Sequence, residues 1–173
     1  MRNLNPLLGQ TIAPPVMEAR RWLEGVTFSA ERPLMNLSQA APVDPPPEGL
    51  RRAMAEALLE RDESHLYGPV LGLDALRAEL AAKWSADYGG AVDAGQVAIT
   101  AGCNQAFCAV MATLAQAGDA VILPTPWYFN HKMWLDMTGI ETQVLATGED
   151  LIPDPEAAEA LIHARTSAIV LIT

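Results

Sequence analysis

The segment from Val97 to His131 constrains the fold more than any other part of the chain. It holds all but the first residue of a strand-like run at Gln96–Thr100 and all of a second run at Ala120–Leu123, and a helix-forming stretch that ends before Gly118 separates the two. The second run is entirely apolar, which is typical of a parallel strand covered on both faces. Strands that alternate with helices pair in parallel through right-handed crossovers. The sequence therefore predicts an α/β fold, a three-layer sandwich with a mostly parallel sheet.

Hydrophobic spacing and helix-start signals predict the remaining elements. The predicted helices cover residues 14–23, 48–62, 73–88, 103–116, 127–137 and 154–164, and two further strands cover 141–145 and 167–172. In the third of these helices, the residues expected to face inward are Leu73, Leu76, Leu80, Trp84 and Tyr88. The proline-rich stretch from Asn36 to Pro47 is expected to be extended and to lie outside the sheet, because proline cannot sit in a central strand.

Composition and charge exclude several classes of protein. The formal charge of -10 argues against a nucleic-acid partner, because binding to phosphate backbones needs a Lys/Arg surface. No apolar run approaches the roughly 20 residues that span a membrane, and the N-terminus does not resemble a signal peptide. Cys103 and Cys108 match no metal or redox spacing, which favours reduced thiols in a cytoplasmic protein and no metal site. Dinucleotide-binding and serine-hydrolase motifs are absent from the sequence.

The turn from Ala101 to Asn104 lies where a predicted strand passes into a helix. Backbone N–H groups and the positive end of the helix dipole meet there, which suits a phosphate. Further along the chain, Trp127 and Tyr128 offer flat faces to a planar ring. Together these features predict a phosphorylated aromatic cofactor. The alternatives are an ordinary capped turn and a core aromatic residue.

Three motifs resemble the class I/II aminotransferases, which are fold-type-I enzymes that use pyridoxal 5′-phosphate. The motifs are YGPVLGLDALRAELA (67–81), VAITAGCNQAF (97–107) and AGDAVILPTPWYFNH (117–131). The resemblance extends from about Asn36 to Thr173. It implies that residues 48–173 are an incomplete large domain, the N-terminal part of the domain that binds pyridoxal 5′-phosphate. Residues 1–47 would then form an N-terminal arm and a substrate-side segment.

The resemblance implies cofactor contacts at two places. Gly102, Cys103 and Asn104 match the turn that holds the cofactor phosphate. Tyr128 matches the aromatic residue that stacks on the pyridine ring, with Trp127 as the rival.

Three further residues acquire roles from the resemblance. Tyr67 matches a tyrosine that reaches the phosphate of the neighbouring subunit, which implies a homodimer. His131 matches the histidine of an Asn-His pair in the aspartate aminotransferase branch, where it supports the aspartate that binds the pyridine nitrogen. Ala40 lies in the segment where a backbone group meets the substrate carboxylate. The family usually has glycine there. The added methyl of alanine would narrow the pocket or change the backbone angle, so the family's substrates are not carried over to this chain.

The implied activity is transfer of an amino group between an amino acid and a 2-oxo acid. In the family, the Schiff-base lysine, the acidic partner of the pyridine nitrogen and the substrate arginine lie beyond the position of Thr173. Lys83 and Lys132 are the only lysines, and both are expected to be structural. We therefore expect an N-terminal fragment that is inactive alone and contains no catalytic residue. The alternatives are another fold-type-I enzyme, such as a C–S lyase or an aminocyclopropane-carboxylate synthase, and a non-catalytic scaffold domain.

Overall fold

A computed structural model describes residues 4–38 and 41–172. The chain forms two compact units, one from residues 1–38 together with 102–173 and the other from residues 39–101. The predicted division into 1–47 and 48–173 stays a prediction. None of the described helices is long and apolar enough to cross a membrane.

Seven helices and three strands lie within the described residues. In chain order they are α1 (Pro6–Gln10), α2 (Pro15–Arg21), α3 (Glu48–Glu60), α4 (Asp74–Tyr88), α5 (Cys103–Leu114), β1 (Ala120–Thr125), α6 (Phe129–Thr138), β2 (Glu141–Ala146), α7 (Pro155–Leu161) and β3 (Thr166–Ile169). Short 3₁₀ turns cover Asp62–His65 and Ala94–Gln96.

The sheet has the strand order β2-β1-β3, and both of its pairings are parallel. The central strand β1 pairs with β2 from Ala120↔Glu141 to Thr125↔Ala146. Parallel neighbours require crossover connections, which α6 and α7 supply. This confirms the predicted α/β fold class and its parallel sheet.

The core lies on both faces of β1, because successive side chains of a strand point to opposite faces. On one face, Val121 and Leu123 pack against Met111 of α5 and Leu135 of α6. On the other face, Ile122 packs with Leu145 of β2 and Ala158 of α7. Helices therefore cover the sheet from both sides, as the three-layer prediction requires. The first four residues of β1, Ala120–Leu123, are essentially inaccessible to solvent.

The predicted strand at 96–100 is wrong. The structure places a 3₁₀ turn at Ala94–Gln96 and irregular backbone at 97–100. The N–H of Ile99 donates to the carbonyl oxygen of Leu71, a loop residue, at 2.9 Å. The segment has strand-like residues, but no described strand lies beside it to form a ladder, so its backbone pairs with a loop.

The predicted inward face of α4 is also largely wrong. Leu73, just before the helix, and Trp84 and Tyr88 within it are 62%, 49% and 76% exposed, while Ala81 is the buried residue of this helix. Apolar spacing identifies the face of a helix that is favourable to bury, but burial requires another element that packs against that face. Leu80 is half-buried, but the described residues leave most of this face exposed.

Candidate functional site

A cavity of about 310 Å³ lies beyond the carboxyl ends of the three strands. Its wall includes Thr125 at the end of β1, Thr147 after β2 and Val170 after β3. Ligands of open parallel sheets bind at this edge, where the strands end and the following loops diverge. Tyr128 and His131 also line the cavity.

Gly102 is the N-cap of α5 and has a φ of +89°, in the left-handed region that favours glycine. A Cβ built on it would meet nothing within 4 Å, and the neighbouring Cys103 and Asn104 are exposed. The first amides of any helix lack intrahelical acceptors and lie at the positive end of its dipole. The turn is therefore open and polar, which fits the phosphate of the implied cofactor. Its three residues are not part of the described cavity wall.

The two candidate ring-stacking residues have different environments. Trp127 is half-buried and packs against the core cluster around Val121 and Leu135. Tyr128 is 39% exposed, and its hydroxyl accepts a hydrogen bond from Asn130 Nδ2 at 2.8 Å. Both residues line the cavity, but Trp127 is engaged in the core, whereas Tyr128 is the more exposed of the two. This supports the choice of Tyr128, which stays a prediction.

His131 lies between two aromatic rings. Its imidazole stacks on Phe107 of α5, with ring centroids 3.9 Å apart and an interplanar angle of 20°. It also meets Tyr128 edge to face, with a centroid distance of 5.2 Å and an angle of 89°. Its Nδ1 is buried and has no hydrogen-bond partner among the described residues. Burial lowers the pKa of His131 below its ordinary value, because desolvation disfavours the charged ring, and this favours the neutral imidazole.

Sequence reasoning did not single out Phe107. It lies four residues after Cys103, on the same side of α5 and one turn into the helix. This four-residue spacing from Cys103, in the predicted phosphate-binding turn, is the sequence signal that could have identified Phe107. The contact between Phe107 and His131 could not be predicted from the sequence, because the two residues lie on different helices.

Neither lysine lies in an arrangement suited to a Schiff base. Lys83 pairs with Asp87 at 2.7 Å, and Lys132 pairs with Asp136, in each case one helical turn later. Lys132 lines a separate cavity, beside Leu7 and Gly139, and not the one at the carboxyl ends of the strands. These contacts support the prediction that both lysines are structural.

The remaining two site predictions fall elsewhere. Tyr67 belongs to the unit of residues 39–101, in the loop after the first 3₁₀ turn, with a fully exposed side chain. Ala40 lies outside the described residues.

Comparison with known proteins gives the family. The model of aminotransferase class I and II matches residues 32–173. The chain belongs to this family. Its members use pyridoxal 5′-phosphate, which confirms the predicted cofactor class.

The chain is similar to several aminotransferases over part of their length. It is 39% identical to the aromatic aminotransferase ISS1 of Arabidopsis thaliana over 54% of this chain and 24% of that protein. It is 34% identical to the aspartate aminotransferase of Streptomyces avermitilis over 64% of this chain and 27% of that protein. An aminotransferase structure from Mycobacterium tuberculosis matches with a TM-score of 0.81 and 25% identity, over 99% of this chain and 43% of that one. The chain thus spans less than half the length of these relatives.

Proposed function

We propose that this chain supplies the phosphate-binding turn and the ring-stacking wall of an aminotransferase that moves an amino group between an amino acid and a 2-oxo acid. The observation that carries the proposal is the contact series Tyr128–His131–Phe107, which joins the start of α6 to α5 near the carboxyl ends of the strands. The names of the relatives, aromatic and aspartate aminotransferases, support the substrate class.

Each part of the proposed site has a distinct task. Backbone amides of the Gly102–Asn104 turn hold the phosphate through hydrogen bonds and the helix dipole. The ring of Tyr128 would stack on the pyridine and hold its plane, a contact that would contribute about 1 kcal/mol beyond area burial. When bound, pyridoxal 5′-phosphate acts as an electron sink for the substrate carbon.

His131 is proposed to hold the acidic partner of the pyridine nitrogen. A buried polar atom without a partner costs about 1–3 kcal/mol, and Nδ1 of His131 is such an atom among the described residues. A carboxylate from another part of the complete enzyme would accept a hydrogen bond from Nδ1–H and offset that cost. A neutral imidazole has one N–H and one free lone pair, so this assigns the proton to Nδ1. For the substrate carboxylate we propose the backbone of Ala40, on the sequence resemblance alone.

Binding of pyridoxine 5′-phosphate tests the proposed site. This analogue has no aldehyde, so it cannot condense with Lys83 or Lys132 and reports the site alone. We expect weak binding that depends on the phosphate. Tyr128→Ala is expected to lower the affinity about fivefold, which corresponds to the ~1 kcal/mol of ring stacking. Titration with tryptophan fluorescence measures the dissociation constants.

The matched control is Tyr88→Ala, at an exposed tyrosine of α4 in the other unit, which should leave the affinity unchanged. Equal affinity for pyridoxine and its 5′-phosphate would contradict the phosphate-binding turn. Unchanged affinity of the Tyr128→Ala variant would contradict the stacking role. We expect no transaminase turnover from the 173-residue chain. Borohydride trapping of pyridoxal 5′-phosphate on Lys132 or Lys83 at one equivalent would contradict their structural assignment.

We also propose that the unit of residues 39–101 carries the contact surface of a homodimer. Helix α3 has no buried residue, and the apolar stripe Leu50, Met54 and Leu58 is more than half exposed. Tyr67, predicted to reach a neighbouring subunit, is fully exposed in the same unit. Exposed apolar surface of this kind marks sites of protein association. A second copy of the chain is the occupant that the position of Tyr67 supports.

The dimer proposal predicts that Met54→Asp shifts the chain from dimer to monomer, because a carboxylate cannot be buried unpaired in an apolar contact. Sedimentation equilibrium over a range of protein concentrations measures the shift. Leu59→Asp is the matched control, since at 100° per residue Leu59 lies on the side of α3 opposite Leu50. A wild-type chain that remains monomeric at high concentration would refute the proposal, as would equal effects of the two variants.

A further inference from the structure

The orientation of His131 has an unusual physical basis. Buried imidazoles are normally oriented by a hydrogen bond to one ring nitrogen. Here the buried Nδ1 has no such partner among the described residues. What faces the ring instead is Phe107, nearly parallel and at a centroid distance of 3.9 Å. Aromatic pairs have preferred geometries, so a stacked phenyl ring restricts the plane of the imidazole.

Phe107 is itself held in place. It packs against the core cluster that contains Met111 and Leu135, so its ring is anchored to the interior on one side and meets His131 on the other. His131 also contacts Tyr128 edge to face. Three rings from two helices therefore form one series that begins in the core and ends at an exposed tyrosine.

We propose that Phe107 is a positioning residue that sets the plane of His131 and, through it, the orientation of the Tyr128 ring. Phe107 lies one turn after Cys103, so α5 positions both the phosphate-binding turn and, through Phe107, the ring-stacking wall. An aliphatic side chain at this position fills the volume but does not define the plane of a ring stacked on it. This inference rests on the proposed function for its consequence in cofactor binding. The geometric part concerns the free protein alone.

The first test uses the ligand-free 173-residue protein and nuclear magnetic resonance of labelled aromatic rings. In the wild type, the ring protons of His131 should be shifted upfield by the Phe107 ring current and should show nuclear Overhauser contacts to Tyr128. Phe107→Leu should lose the upfield shift and weaken those contacts, while Phe107→Tyr, which keeps a ring, should retain both. Phe28→Leu, at a half-exposed phenylalanine of the same unit, is the matched control and should match the wild type.

Unchanged Tyr128–His131 contacts in a folded Phe107→Leu variant would overturn the proposal. The backbone amide spectrum establishes folding, and Phe107→Met replaces the leucine variant if that variant unfolds. The second test measures binding. Phe107→Leu should weaken pyridoxine 5′-phosphate about fivefold, as loss of the stacking contact would, and leave inorganic phosphate binding unchanged. Equal losses for both ligands would instead mean damage to α5 and would overturn the positioning role. The ligand-free test stays decisive even if the wild type binds no cofactor.

Discussion

Replacement of Leu135 by alanine is expected to lower the free energy of unfolding by about 2–5 kcal/mol. Leu135 is fully buried at the centre of the cluster formed by α5, α6 and one face of β1. The sheet and α5 restrict collapse around the deleted methyl groups, so a cavity adds to the lost transfer free energy. Urea unfolding followed by far-ultraviolet circular dichroism gives the change. Because Leu135 lies one turn after His131, the variant should also disturb the proposed ring series.

Leu114→Ala provides the comparison for this prediction. Leu114 lies in α5 of the same unit but is 53% exposed, so its truncation should cost about 0.5 kcal/mol or less. Similar losses for the two variants would show that the sheet core does not hold this unit together.

Gly72→Ala should strongly destabilise the unit of residues 39–101. Gly72 has a φ of +97°, and a Cβ placed there would lie 2.4 Å from Cγ1 and 2.6 Å from Cβ of Ile99. The left-handed backbone costs an alanine about 1 kcal/mol, and the overlap adds about 1–3 kcal/mol as overpacking does. The clash involves Cβ of Ile99, so a rotamer change alone cannot relieve it. The circular dichroism of the unfolding transition again measures the loss.

Gly89→Ala separates the cost of the left-handed backbone from the cost of the steric clash. Gly89 ends α4 in the same unit with a φ of +66°, and its Cβ would meet nothing within 4 Å. It should therefore show the backbone cost of about 1 kcal/mol without the clash. Equal destabilisation of the two variants would contradict the close approach of Gly72 to Ile99.

Hydrophobic runs and helix-capping residues predicted most elements of the unit that contains the sheet, because the residues that bury or cap these elements belong to the same unit. The apolar run at Ala120–Leu123 became the buried central strand, and Asp154 caps α7 through a hydrogen bond from the N–H of Glu156 at 3.1 Å. Each signal depends on neighbours close in sequence or on burial within the same unit. The cytoplasmic location inferred from the reduced cysteines stays a prediction.

The prediction was wrong where cover or pairing has to come from a distant partner. Residues 97–100 have a strand-like sequence but no ladder, and Leu73 and Tyr88 remain exposed despite their apolar spacing. A hydrophobic pattern indicates which face of a helix or strand is favourable to bury. It does not say whether another element lies within reach of that face.

Sequence alone determined the α/β class, the parallel pairing of the strands and the family, because hydrophobic periodicity, turn residues and ordered motifs are local properties of the chain. Tertiary structure alone decided that the His131 ring stacks on Phe107 and meets Tyr128 edge to face, and that Trp127 packs into the core while Tyr128 stays accessible. Ring stacking and burial depend on distances between helices, and those distances are fixed only when the two faces of β1 are covered.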